Sequence, residues 1–205
     1  SNGWWLSLKP VYLMEIYNDF QLERSLLLLW NWRPIASQYA EVSSYCTVEV
    51  YTQTGRTTSA HCVRHLRKIR WHTLSLRMPV LEKSAKYFDY LAILPEAFLR
   101  IEAGIKHILN SDHHRPIVLL AHSCGAHMAM AWLETTAGRP IDAFIGIGMG
   151  ATDYRQPMQR PFPFARLKIP VLDIYGSEDY PAVHRLAPIR LEKIQLGGHL
   201  GSTQM

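Results

Sequence analysis

A serine stands where a buried strand gives way to a helix, in Pro116-Ile117-Val118-Leu119-Leu120-Ala121-His122-Ser123-Cys124-Gly125-Ala126. Ile117 to Leu120 is apolar on both faces, as in a strand covered on both sides of a parallel sheet. Ala126 to Leu133 has the composition of a helix. Small-His-Ser-x-Gly between the two is the pattern of a sharp strand-to-helix turn that lifts a hydroxyl clear of the sheet's carboxyl edge. Such a turn needs small neighbours, because the serine backbone is strained and other backbone passes close by. Gly125 supplies one, and Ala121 stands where a glycine is usual. A hydroxyl held this way can attack an acyl carbonyl. The N–H of Cys124, at the start of the helix, is then placed to donate to the oxyanion that forms. A tight turn whose serine only caps the helix fits the same residues.

A second element supplies an acid. Val171 to Tyr175 reads as another buried strand, and Gly176-Ser177-Glu178-Asp179 follows it. Ligand-facing groups of parallel sheets gather at this end of the strands. Asp179, spaced Gly-x-x-Asp, is the first choice for a carboxylate that orients a histidine and stabilises its imidazolium. Glu178 competes, Asp173 lies within the strand, and a helix-start role before Pro181 is the other reading of Asp179. His199 comes next in the order serine, acid, histidine. His61 and His65 have the i, i+4 spacing of zinc ligands but no accompanying Glu, so no metal site is expected. His113 and His114 fall in a turn, and His122 packs under the sheet edge. Cys124 follows the nucleophile, which makes it a small turn residue and not a nucleophile itself.

The elements that must position these groups alternate. A strand is expected over Cys46–Tyr51, a helix over Thr57–Ile69 and a strand over His72–Met78. Leu94, Phe98, Ile101, Ile105 and Ile108 form the stripe of an amphipathic helix. Strands at Ile117–Leu120, Ala143–Met149 and Val171–Tyr175 are separated by the helix at Ala126–Leu133 and a loop. The order predicts βαβ units and a mostly parallel α/β sheet. Residues 1–44 are not legible by periodicity. They hold Trp4, Trp5, Trp30 and Trp32, which either cover a sheet edge or form an interaction surface.

With 205 residues and 48% apolar composition the chain suits one domain. A net charge of +5 and 19% charged residues exclude disorder as its main character. The run around Leu26–Trp30 is far shorter than the ~20 residues of a membrane span. Three cysteines close one disulfide at most, so a reducing, cytoplasmic setting is expected. The basic segment Arg64–Arg70 reads as a solvated helix face, so no nucleic-acid partner is expected, with a nucleic-acid or membrane patch as the lesser reading.

Together these motifs resemble the α/β-hydrolase superfamily, with Trp71-His72-Thr73-Leu74-Ser75-Leu76-Arg77-Met78-Pro79 similar to its preceding strand. The whole run, about residues 69–196, is most similar to a hydrolase-like family of proteobacterial proteins. The resemblance implies a three-layer α/β/α sandwich, minimal or truncated. It also implies a serine hydrolase that cleaves a carboxylic ester, thioester or amide through an acyl-enzyme on Ser123, with no cofactor and a small-molecule acyl substrate. It does not select that substrate. Family members carry His-Gly or Pro-Gly after an early strand; the matching place here is Gln53-Thr54-Gly55, so Gly55 is the expected second oxyanion donor. Family histidines follow a helix and one more strand. Ala182–Ile194, interrupted by Pro188, can be the helix, but Gln195–Gly198 leave almost no strand before His199. The base is therefore His199 or a residue beyond Met205. Phe162 and Phe164, in a Pro-rich segment where such folds insert lids, are candidates to line an acyl pocket, or the segment is a plain loop. A rival reading is an inactive or truncated member that keeps the fold as a binding module.

Overall fold

The computed structural model describes residues 12–17, 45–51, 71–82, 84–111, 116–135, 140–150, 152 and 156–205. Four strands carry the site: β4 (Ile117–His122), β5 (Ala143–Ile147), β6 (Val171–Ile174) and β7 (Thr203–Gln204). They lie side by side in that order and every pairing is parallel, with Val118 opposite Ala143, Phe144 opposite Val171 and Leu172 opposite Thr203. Three further strands, β1 (Tyr12–Tyr17), β2 (Tyr45–Tyr51) and β3 (Trp71–Arg77), run parallel on the far side of β4. Parallel neighbours need crossovers, and among the described residues helices serve the connections β3–β4, β4–β5 and β6–β7. α1 (Tyr87–Leu91) and α2 (Leu94–Ser111) lead from β3 to β4, α3 (Cys124–Thr135) leads from β4 toward β5, and α4 (Pro181–Gly197) leads from β6 to β7. The described part of the connection from β5 to β6 contains a 3-10 turn, Pro163–Arg166.

The continuous apolar runs of β4, β5 and β6 are buried along almost their whole length, as strands covered on both faces should be. On α2 the predicted stripe is the buried one: Leu94, Ile101, Ile105 and Ile108 are in the core and Phe98 packs against it. α2 comes close to β3 because Gly104 has no side chain; a β-carbon there would stand 2.8 Å from Leu76 Cδ1. α3 is buried from Gly125 to Leu133 and is therefore apolar on all sides. Its Trp132 donates to Glu102 Oε1 at 3.2 Å, tying α3 to α2.

Two features differ from the sequence reading. A strand forms at 12–17, within the stretch whose periodicity was illegible. The chain after His199 also makes a strand, β7, too short at two residues to leave an alternating pattern. The expected helix over 57–69, with His61 and His65, lies outside the described residues, as do the basic segment Arg64–Arg70, the four N-terminal tryptophans, His113 and His114. Among the described residues no helix is long and apolar enough to cross a membrane, and no cluster of His, Cys, Asp or Glu has a metal-binding arrangement.

Candidate active site

Ser123 occupies the corner between β4 and α3 with φ at +50°, the only non-glycine residue among those described in the left-handed region. That conformation costs an L-residue roughly 1–2 kcal/mol, and it persists because the corner is fixed from two sides. Its N–H donates to the Ile147 carbonyl at 3.0 Å, at the end of β5. Its carbonyl accepts from the N–H groups of Ala126 at 3.0 Å and His127 at 3.2 Å, in the first turn of α3. Neighbouring residues stay small and buried: Ala121, Gly125 and Ala126. The serine thus sits at the carboxyl edge of the sheet and at the electropositive end of a twelve-residue helix.

The carboxyl end of β6 delivers the acid to the same edge. Gly148, just past β5, donates its N–H to the Ile174 carbonyl at 2.9 Å. The chain then turns, with Asp179 N–H donating to the Gly176 carbonyl at 3.2 Å. Asp179 Oδ1 accepts from the Tyr180 N–H at 2.8 Å, so part of the carboxylate serves the start of α4. Its Oδ2 stands 3.2 Å, and His122 Nε2 3.5 Å, from where a β-carbon on Gly148 would be. Asp179 and the residue preceding Ser123 therefore converge on one glycine.

Ser123 and Cys124 open onto a cavity of about 650 Å³. Tyr87, Tyr90, Leu91 and Leu94 form much of its wall, with His127 and Thr152 behind. The Tyr87 and His127 rings meet at 4.9 Å. Burial pushes the Cys124 thiol above its usual range, outweighing hydrogen bonding to Ser123 and to its own backbone. Burial likewise raises the Tyr90 phenol, against the opposing bond from the Leu81 N–H. Both groups are neutral in the site at ordinary pH.

Residues 89–199, more than half of the chain, match the family described as "Protein of unknown function (DUF3530)". The chain belongs to this family. No curated protein and no solved structure matches it. The part shared with the DUF3530 family includes Ser123, Cys124, Asp179 and the whole of α2, α3 and α4 up to Gly197, while β1, β2 and β3 precede it.

The structure does not bring every predicted residue of the family region together. Ser123, Cys124 and Asp179 share the carboxyl edge of the sheet. His199 does not. α4 leaves that edge at Pro181 and runs back for 17 residues, about 25 Å at helical rise, so that β7 can start parallel to β6. His199 lies in the turn at the amino edge, where its Nδ1 accepts from Gly201 N–H at 3.1 Å and its carbonyl accepts from Ser202 N–H at 2.9 Å. Ser202 Oγ in turn accepts from Val171 N–H, the first residue of β6. Phe162 and Phe164 are likewise corrected: they do not line the cavity but stack in the core at 5.8 Å, with Phe164 also against Phe144 at 6.1 Å. Pro163 starts a 3-10 turn that directs both rings inward. Gly55 lies outside the described residues. Glu178 is exposed, and Asp173 is wholly buried against Arg190.

Sequence reasoning missed the cavity wall itself. Tyr87, Tyr90 and Leu94 recur at steps of three and four, a helical stripe readable in advance. Arg185 and Thr152 carried no such signal, since only the tertiary fold sets them beside Ser123.

Proposed function

We propose that this chain has the α/β-hydrolase fold, with helices layered on both faces of its sheet, and acts as a serine hydrolase on a carboxylic ester, thioester or amide. Ser123 Oγ attacks the acyl carbonyl and forms an acyl-enzyme, and the Cys124 N–H donates to the oxyanion. Asp179 holds and stabilises the imidazolium that results when a histidine takes the serine proton. The observation that carries the reading is the left-handed φ of Ser123 at a corner opening onto a cavity. Strain of this kind in a non-glycine residue is concentrated at functional sites. A histidine must reach the space between Ser123 and Asp179. His122 Nε2 and Asp179 Oδ2 both approach Gly148, and β7 runs toward the same edge, where Tyr175 N–H donates to the Met205 carbonyl.

A fluorophosphonate probe tests this. The expected result is a stoichiometric adduct on Ser123, absent from Ser123→Ala, with Asp179→Asn labelling at least ~10²-fold more slowly. A folded wild-type chain that stays unlabelled overturns it. The placement of His199 at the amino edge favours a second reading, a binding module that keeps the serine corner without turnover. Under that reading the cavity binds small acyl compounds while the probe reaction is absent.

A further inference from the structure

The described residues that line the cavity beside Ser123 carry charge of one sign. Among the described residues, Lys86 and Arg185, both exposed, are the charged ones lining it, and no described Asp or Glu does. Arg185 forms no ion pair with any described residue, in contrast to Arg160, Arg166, Arg190 and Lys193. It projects from the second turn of α4, whose first residues, Pro181 and Ala182, also line the cavity, so the helix dipole adds to the same positive field. Thr152 lines the cavity too. It is only 9% exposed, and its hydroxyl has no partner among the described residues. Tyr87, Tyr90, Leu91 and Leu94 give the wall an aromatic and aliphatic stretch, and His127 also lines it. An apolar chain ending in a neutral group would fill such a space and leave the cations unused.

We infer that the substrate is an acyl ester carrying an anionic group, carboxylate or phosphate, at the end away from the scissile bond. The apolar stretch lies against Tyr87, Tyr90, Leu91 and Leu94. Arg185 holds the anion, with Lys86 adding charge at the same mouth. Arg presents a planar fork of donors that matches either oxyanion. The inference deepens the proposed hydrolase reading and rests on Ser123 as the reacting end of the cavity.

Binding to the full-length Ser123→Ala protein tests it without requiring turnover. The ligands are monomethyl sebacate, dimethyl sebacate and the corresponding methyl ester ending in phosphate, followed by calorimetry. The anionic ligands are expected to bind about five-fold more tightly than the diester, an advantage of the size of one exposed ion pair. Arg185→Ala removes that preference, Arg185→Lys keeps part of it, and Lys193→Ala, on the same helix but outside the cavity, leaves it intact. Comparison of the two anionic ligands separates a carboxylate site from a phosphate site. Equal binding of all three ligands, no binding of any, or a preference that survives Arg185→Ala overturns the inference. Probe labelling of the wild-type protein is read independently: an adduct without anion preference sinks only the inference, and a preference without an adduct sinks only the hydrolase reading.

Discussion

The Asp179 carboxylate lies over Gly148, with Oδ2 3.2 Å from the position a β-carbon would take. Gly148 also has φ at +57°, so two separate demands exclude a side chain there. Gly148→Ala is expected to cost about 1–2 kcal/mol for the left-handed backbone alone. It also pushes the carboxylate off the edge it shares with Ser123. Urea denaturation reads the first effect and probe labelling the second. Full labelling at wild-type rate in Gly148→Ala would show that the position of Asp179 is immaterial to Ser123.

Ser123 holds a left-handed backbone that an L-residue adopts only at a steric cost. Ser123→Gly and Ser123→Ala both remove the hydroxyl, but only glycine adopts φ +50° without steric cost. The glycine variant is expected to be the more stable of the two by about 0.5–1 kcal/mol, the steric relief being partly offset by glycine's greater freedom when unfolded. Paired chemical denaturation curves check this. An alanine variant as stable as the glycine variant would mean that the corner relaxes when the hydroxyl is gone.

Cys124 carries a free, partly buried thiol. Its burial raises the folded-state value above the ordinary 9.0. The unfolded chain therefore ionises first as pH increases, and the stability this thiol contributes is fully present below pH 9.0 and lost as pH rises through the folded value. Iodoacetamide is expected to alkylate the native protein with a pH midpoint above 9.0, and Cys124→Ala is expected to keep the Ser123 adduct, because the backbone N–H remains. Rapid alkylation at neutral pH would contradict the burial argument.

Chain-local patterns explain what was readable. β4, β5, β6 and α2 declare themselves through runs and stripes set by burial on one or two faces, and Ser123 and Asp179 sit at the ends of such runs. His199 was misplaced because its position depends on where α4 stops. The helix continues through Gln195 and Leu196 to Gly197, with Gly198 at φ +69° ending it, so the turn carrying His199 belongs to the amino edge. Phe162 and Phe164 look like lid residues by composition, yet their burial is decided by contacts with Phe144 and α4 that are distant in sequence. Asp173 reads as a spare acid beside Asp179, and only the fold discloses its partner.

That partner is Arg190, 2.7 Å from Asp173 Oδ2, with neither side chain exposed at all. Arg190 Nη1 also donates to the carbonyls of Met149 and Val183, and Gln204 Nε2 donates to both Asp173 and the Ala187 carbonyl, so β6, α4, β7 and the segment after β5 meet at one buried point. Burial raises the Asp173 carboxyl above its ordinary value, with Arg190 and Gln204 pulling it back down. Arg190→Met removes the counter-charge and is expected to cost about 3–5 kcal/mol near neutral pH, whereas Asp173→Leu with Arg190→Met costs less than the single change. The sign of the pH dependence follows. In Arg190→Met the carboxyl rises further, so the folded state holds a proton that the unfolded state has released, and stability falls as pH increases from 3.8 toward the folded value. The deficit of Arg190→Met against wild type is therefore smaller at pH 5 than at pH 8 in urea denaturation. A deficit independent of pH would mean that Arg190 serves mainly through its bonds to the Met149 and Val183 carbonyls and its packing on Phe162 and Tyr175, and not through the charge on Asp173.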